Sequence, residues 1–327
     1  MGGVLVTAWS ARTNEINGKL KSGKNGFKIA PGVQLVLYAL PFFVVVFLFS
    51  YLPLYGWLYA FFDYRAGLDL FKTKFVGLKY FQNIVGNPVL FRDMLRVLRN
   101  TFAMSFLGLL TSPLPMIFAI MITEVRFKWF KRSVQTLSTI PNFISWIMVY
   151  SVAWSMFSVG DGFINRVLLK LDLIETEINF LASSDNVWIT MLTYSIWKGL
   201  GWSAIMYLAA IAAIDQEQYE AAIVDGAGRF QLIWHVTLPG ILPTYFVLLL
   251  LTIANFINNG MEQYFVFQNA MNKSYIEVLD LYVYNKGMVG NNIPFATAIS
   301  MLKSLISIVL LFTANRLSKS VRDESII

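Results

Sequence analysis

No cysteine occurs among the 327 residues, and there is a single histidine, His235. Disulfides, thiolate nucleophiles and Cys-based metal sites are excluded, as is a metal centre built from several histidines. Charge is scarce too: 14% of the residues are Asp, Glu, Lys or Arg, against about a quarter in ordinary soluble domains. No GxxxxGK[ST] loop is present, which excludes a P-loop nucleotide hydrolase. The apolar stretches hold no paired carboxylates and no His-based constellation, which argues against an intramembrane enzyme acting on lipid-linked sugar. None of them has a central Asp or Glu, and no internal repeat is visible. That argues against the main alternative, an ion-coupled secondary transporter of sugars.

What the chain has is apolar surface. Hydrophobic residues make up 57% of it, with 27 Phe, 15 Tyr and 9 Trp, the composition of a polytopic membrane protein. A span needs about 20 apolar residues to cross about 30 Å of hydrocarbon. Six stretches qualify, near residues 34–61, 98–122, 136–157, 187–213, 242–259 and 295–315. The expected fold is therefore all-α with six transmembrane helices. Pro41, Pro53, Pro113 and Pro115 fall inside these stretches and are tolerable where neighbouring helices satisfy the freed carbonyls. The first stretch is too long for a signal-peptide core, so it is expected to remain in the mature chain.

Basic residues give the orientation. Arg12, Lys19, Lys21, Lys24 and Lys28 precede the first span, Arg126, Lys128, Lys131 and Arg132 follow the second, and Arg316, Lys319 and Arg322 follow the sixth. With six spans all three groups lie on one side, the cytoplasm. The net charge of +7 is thus a topology signal, and no nucleic-acid partner is expected. The loop after the third span is acidic, with Asp161, Asp172, Glu175, Glu177 and Asp185. One loop disagrees: Arg65, Lys72, Lys74, Lys79, Arg92 and Arg96 lie between spans one and two, where alternation places the outside. The expected organisation is a basic cytoplasmic tail (1–33), a six-helix domain (34–315) and a cytoplasmic C-terminal tail (316–327).

Between spans four and five lies a polar-to-mixed stretch, "DQEQYEAAIVDGAGRFQLIWHVTLPGILP", residues 215–243. Asp215 can cap a short helix on which Tyr219, Ala222 and Ile223 share a face. Gly226 and Gly228 permit a sharp turn, and "RFQLIWHVTLP" reads as a second short helix stopped by Pro239. From the residues alone, an amphipathic connector on the membrane surface and a knob that docks into a partner's groove are both open.

"EAAIVDGAGRFQLIWHVTLPGILP" closely resembles the EAA loop of binding-protein-dependent ABC importer permeases. The pattern is E-A-A, three residues, a Gly, and a more distant L-P. The resemblance extends over nearly the whole chain. "VGLKYFQNI", "FKRSVQTLSTIPNFISWIMV", "YSIWKGLGWSAIMYLAAIAAID" and "FATAISMLKSLISIVLLFTANRLSK" are similar to the LplB-like branch of the carbohydrate (maltose-type) permeases, which transport polysaccharides or complex oligosaccharides. The resemblance implies a MetI-like fold in the bacterial cell membrane, and a loop 215–243 that is the coupling helix set into a cleft of an ATPase. Glu220 would make the polar contact, Ala221 and Ala222 the close-packed surface and Gly226 the turn, with Asp225, Leu238 and Pro239 completing the motif. It further implies a heterodimer with a second permease subunit, two ATPase subunits that carry the ATP and Mg, and an extracellular solute-binding protein. This chain would bind no cofactor and would be a translocation subunit rather than an enzyme.

Polar residues inside spans are the candidates for the solute path, although Asn and Ser there also bond neighbouring helices. Asn255 and Asn258 are three apart and can share a helix face. Ser195, Lys198, Gly199 and Trp202 fall three, four and seven residues from Ser195; a Trp face can stack on a pyranose ring. By the resemblance, Asn255, Asn258 and Gly199 are identical to sugar-binding positions of the maltose-type family, and Ser195 and Trp202 match by type. Lys198 departs from the family's apolar residue. A buried ammonium in the path would favour an acidic, uronate-containing oligosaccharide such as an alginate or pectin fragment; the other reading is that Lys198 snorkels or pairs with an acid such as Glu262. Lys303 in the sixth span is expected to face the bundle interior or the partner subunit. The segments 161–165 and 269–288 are expected outside, as candidates for binding-protein docking, with an interfacial helix a second option for the latter.

Overall fold

The computed structural model describes residues 31–322, and the chain divides into two compact units between Gly56 and Trp57. In the first unit, helix α1 (Pro31–Val46) leads into a π turn (Phe47–Tyr51) and a 3-10 stretch (Leu52–Phe61) that continues into the second unit. Proline lacks an N–H and crowds the carbonyl four residues back. A widened π turn next to Pro53 absorbs that defect without ending the helix.

The second unit begins with a short amphipathic helix, α2 (Lys79–Gly86), and the long α3 (Pro88–Leu110). Asn87 caps α3, its side chain accepting from the N–H groups of Val89 and Leu90. Next come α4 (Leu114–Thr123), α5 (Lys128–Thr139), a 3-10 turn (Ile140–Phe143), α6 (Trp146–Phe157) and α7 (Phe163–Lys170). After α8 (Val187–Ala212) the loop region supplies α9 (Gln216–Val224) and α10 (Arg229–Leu232). A π turn (Ile233–Thr237) joins α10 to α11 (Leu238–Ala254). The short helices α12 (Glu262–Phe267), α13 (Lys273–Ile276) and α14 (Leu279–Tyr284) precede the final α15 (Ile293–Arg322). Among the described residues no strand forms beyond one isolated bridge, Phe62 to Phe75.

Among the described residues, four stretches are long and apolar enough to cross a membrane: Leu35–Phe61, Pro88–Thr123, Arg229–Ala254 and Ile293–Arg316. Two bent pairs bring the number to six, α5 with α6 (107°) and α8 with α9 (68°). The all-α, six-span expectation holds, with two corrections. The third span is not one rod over 136–157: it breaks at Ile144–Ser145, where Pro141 ends one helix and Ser145 caps the next by accepting from the Met148 N–H. Nor does "RFQLIWHVTLP" stop at Pro239. The helix runs from Arg229 to Ala254 because Pro239 falls in the first turn of α11, just beyond the π turn, where its missing N–H is tolerated. Residues 1–30 and 323–327 of the two expected tails lie outside the described residues. The helix of the sixth span carries on past residue 315 to Arg322.

Among the described residues, three apolar clusters hold the second unit together. In one, Met116 and Ala119 of α4 meet Ala204 and Tyr207 of α8 and Ile241 of α11. In another, Phe267 is 1% exposed at the centre of a cage of rings from Trp146, Tyr150 and Tyr194. The third joins Tyr80, Met94 and Val97 to Tyr282, Phe295 and Ile299. One crossing depends on a missing side chain. A Cβ on Gly201 of α8 would lie 2.3 Å from the backbone carbonyl of Ser138 in α5.

The segment 269–288, expected outside as a candidate for binding-protein docking or as an interfacial helix, is in part docked into the body: Asn272, Ile276, Glu277, Val278, Leu279 and Leu281 are buried, while Met271, Tyr275 and Met288 are exposed. Arg96 of α3 pairs with Glu277 at 2.8 Å, and Asn285 donates to the other Glu277 oxygen. The Arg99 guanidinium lies over the rings of Tyr275 and Trp188. At least part of the basic charge that disagreed with the topology rule is therefore spent inside the fold.

Candidate functional site: a polar cavity and an exposed helical knob

The knob is built by local chemistry. Asp215 caps α9 by accepting from the Glu217 N–H at 3.0 Å. Gly226, with φ +84°, reverses the chain after Asp225, a left-handed conformation that costs glycine little. The Ala227 N–H closes the turn by donating to the Ala222 carbonyl at 2.9 Å. The knob is then fixed to the body at two points. The Tyr219 and Thr237 hydroxyls lie 2.9 Å apart, and Arg229 donates to the Glu124 carboxylate (2.8 Å) and carbonyl (2.6 Å) at the end of α4.

Of the residues expected to couple, Glu220, Ala221, Asp225, Gly226 and Pro239 are exposed, while Ala222 and Leu238 are half-buried. Sequence reading passed over their apolar neighbours. Val224 (86%) and Phe230 (88%) are among the most exposed large hydrophobic residues, and Trp234 stands out beside them. Exposed apolar side chains beside Glu220 and Asp225, at the end of a bent helix, form a surface of the kind that can dock a partner.

A cavity of about 660 Å³ opens between α3, α4, α8 and α11. Five of the six residues expected on the solute path line it: Ser195, Gly199, Trp202, Asn255 and Asn258. Sequence reading missed Ser105, Thr111, Ser112, Ser203, Thr252 and Asn259, which line it too. None of the described residues lining the cavity is charged. Its polar groups are hydroxyls and amides, which can donate and accept, and these are set among Met, Leu, Phe and Trp side chains. Thr111 and Ser112 owe their place to the break between α3 and α4; Ser112 is 3.3 Å from the Tyr245 hydroxyl.

Asn255 and Asn258 do not share a helix face. Helix α11 ends at Ala254, and the two lie on an unwound turn where Asn258 donates to the Asn255 side chain at 3.3 Å. The helix end therefore places the Asn255 and Asn258 amides on the cavity wall. Unwound backbone of this kind is stable at membrane depth only where it is buried in protein or lines a cavity. Asn259 continues the turn, donating to Ser105 at 3.0 Å, and Ser105 in turn donates to the Phe256 carbonyl. Ser195 donates to Gln263 at 2.7 Å, which ties α8 to α12. Trp202 packs edge-on against Phe143.

Lys198 departs from its expected place. It is not on the cavity wall and does not pair with Glu262. Its ammonium donates to the carbonyls of Asn142 (2.7 Å) and Pro141 (3.2 Å) and lies over the Trp146 ring. The carbonyls at the end of a helix lack partners within it, and the bend between α5 and α6 supplies such an end beside α8. The lysine caps the bend.

Residues 111–323 match the family described as "Binding-protein-dependent transport system inner membrane component". Protein LplB of Bacillus subtilis (strain 168) is 41% identical over 293 residues, covering 89% of this chain and 90% of that protein. The polygalacturonan/rhamnogalacturonan transport system permease protein YteP of the same organism is 37% identical, covering 91% and 92%. A bacterial ABC transporter involved in the import of the acidic polysaccharide alginate contains a chain that superposes with a TM-score of 0.79 at 30% identity, covering 89% of this chain and 97% of that one. A second structure of a bacterial alginate transporter, in complex with alginate pentasaccharide-bound periplasmic protein, fits with the same TM-score and identity.

Proposed function

This chain belongs to the family of binding-protein-dependent transport system inner membrane components, and from that premise we propose that it is the oligosaccharide-conducting permease subunit of an ABC importer. The observation that carries the reading is the cavity in which Ser195, Gly199, Trp202, Asn255 and Asn258 converge. Hydroxyl and amide groups match the alternating donors and acceptors of a sugar, and an exposed indole face offers a stacking surface. Uronate-containing oligosaccharides are the favoured cargo, on the strength of what the relatives carry. Lys198 no longer supports that choice. A carboxylate passing this chain meets neutral donors, so a counter-charge has to come from the second permease subunit or the binding protein.

The knob is the input side of the device. Glu220, Ala221, Asp225 and Gly226 engage the cleft of an ATPase subunit. ATP and Mg are bound on that partner, and this chain carries no cofactor. Movement of the knob reaches the cavity along two routes: α8, which bends into α9, and the continuous helix from Arg229 to Ala254. Both carry cavity residues, so closing the ATPase cleft reshapes the wall that holds the solute. The full assembly is a heterodimer of permeases with two ATPases and an external solute-binding protein, with both termini of this chain in the cytoplasm.

The test is reconstitution of the complete transporter with its second permease, ATPase and solute-binding subunits. The purified complex is expected to contain an ATPase whose turnover rises with loaded binding protein, and to import uronate trisaccharides. Uptake by this chain alone, or import restricted to neutral sugars, would overturn the respective parts. Orientation is tested separately, in intact cells. Because the chain has no cysteine, a single Cys in place of Gln218 can be labelled without background, and labelling from outside intact cells would reverse the proposed topology.

A further inference from the structure

The amide turn of the cavity is held from behind by a group that does not touch the cavity. Helix α11 stops at Ala254 and the chain does not resume a helix until Glu262. At the end of this gap Gly260 has φ +72°, and its N–H donates at 2.9 Å to Oδ2 of Asp280, on α14. The other oxygen of Asp280 accepts from Lys303 of α15. Both side chains are largely buried, at 20% and 16% exposure. The nearer part of the turn is fastened to α3 through Ser105. Asn258 and Asn259 thus sit between two anchors, a hydroxyl on the cavity side and a carboxylate on the far side.

We infer that Asp280 is a positioning residue for solute recognition: charge-paired with Lys303, it fixes the Gly260 end of the turn that presents Asn255, Asn258 and Asn259. This rests on the cavity being the solute path. A buried carboxylate without its cation is costly, so Lys303 is what allows a charged acceptor to stand at this depth. An ion pair here is then a means of gripping one backbone N–H. Membrane proteins place ionisable groups within spans at a cost and use them at functional sites. Lys303, expected to face the bundle interior or the partner subunit, is turned inward onto Asp280.

Two double variants isolate the anchor from the charges. Asp280→Asn with Lys303→Met removes both charges and keeps an acceptor for Gly260. Asp280→Leu with Lys303→Met removes the acceptor as well. In the complete transporter, with uptake of a labelled galacturonan or alginate trisaccharide as readout, the first is expected to keep KM within about twofold of the parent. The second is expected to raise KM about fivefold, the worth of one hydrogen bond, at unchanged maximal rate per assembled complex. Equal KM values in the two doubles would reject the anchor.

If the Leu variant fails to assemble, Asp280→Glu decides. It keeps the charge pair but displaces the acceptor by one methylene, and an unchanged KM would reject the proposal. Asn258→Ala runs alongside as a control on the premise. A raised KM in Asn258→Ala with no change in the Asp280 variants refutes the anchor alone. No change in either refutes the cavity reading together with the anchor.

Discussion

The Lys198 ammonium lies 2.7 Å from the carbonyl oxygen of Asn142, across the gap between the fourth and third spans. It joins a helix that lines the cavity to the point at which its neighbour turns through 107°. Replacing Lys198 with Met leaves the Asn142 carbonyl without its charged donor, a loss of about 1.5–3 kcal/mol for a hydrogen bond to a charged group. A lower thermal midpoint of the purified complex and reduced maximal uptake are expected. The ratio of uronate to neutral trisaccharide uptake is expected to stay constant, because the side chain is not on the cavity wall. A selective loss of uronate uptake would return Lys198 to the solute path.

Glu220→Ala tests the knob. The side chain is exposed and α9 is capped at its other end by Asp215, so the helix and membrane insertion survive. Co-purification of the ATPase is expected to fall, or its stimulation by loaded binding protein to vanish. Normal uptake by this variant would remove the coupling role.

Gly201 and Gly199 are two residues apart and predict opposite outcomes. A Cβ at Gly201 meets the Ser138 backbone, which cannot rotate away, whereas a Cβ at Gly199 has nothing within 4 Å. Gly201→Ala is expected to destabilise by about 1–3 kcal/mol, as overpacking does, and to lower the yield of assembled complex. Gly199→Ala is expected to assemble normally, and a bulkier change, Gly199→Phe, to fill cavity volume and depress uptake. Yields by size-exclusion chromatography and uptake rates separate the two effects.

Arg229 and Glu124 form a partly exposed ion pair, with 56% and 35% of their side-chain surface accessible. Such pairs contribute less than about 1 kcal/mol to stability. Arg229→Ala is therefore expected to leave folding almost unchanged. If the pair transmits movement from the knob to α4, transport per ATP hydrolysed drops. An unaltered ratio would make the contact incidental.

What could be read from the sequence was what local chemistry determines. The cap at Asp215, the reversal at Gly226 and the apolar spans depend on residues close in the chain, and helical spacing brought Ser195, Gly199 and Trp202 to one cavity. Direction beyond the helix was not readable. Lys198 lies on the same helix, but where a long side chain goes depends on whichever carbonyls lack partners nearby, here those of a bend set by Pro141 and Ser145. The pairing of Arg96 with Glu277 spans 181 positions, so charge counting assigned that arginine to a loop. Asn255 and Asn258 followed helical spacing until the helix itself ended.

The wide turn at Ile233–Thr237 has a geometric consequence for everything that follows it. Fitting one surplus residue into a helix rotates the remainder by about 100°, so the azimuth at which α11 meets the cavity is offset from the azimuth at which α10 leaves the knob. Thrust applied at the α10 end can travel along this rod, but the two ends address different neighbours. On the proposed function, that phase shift lets a single helix answer to a motor on one flank and to a cargo on another.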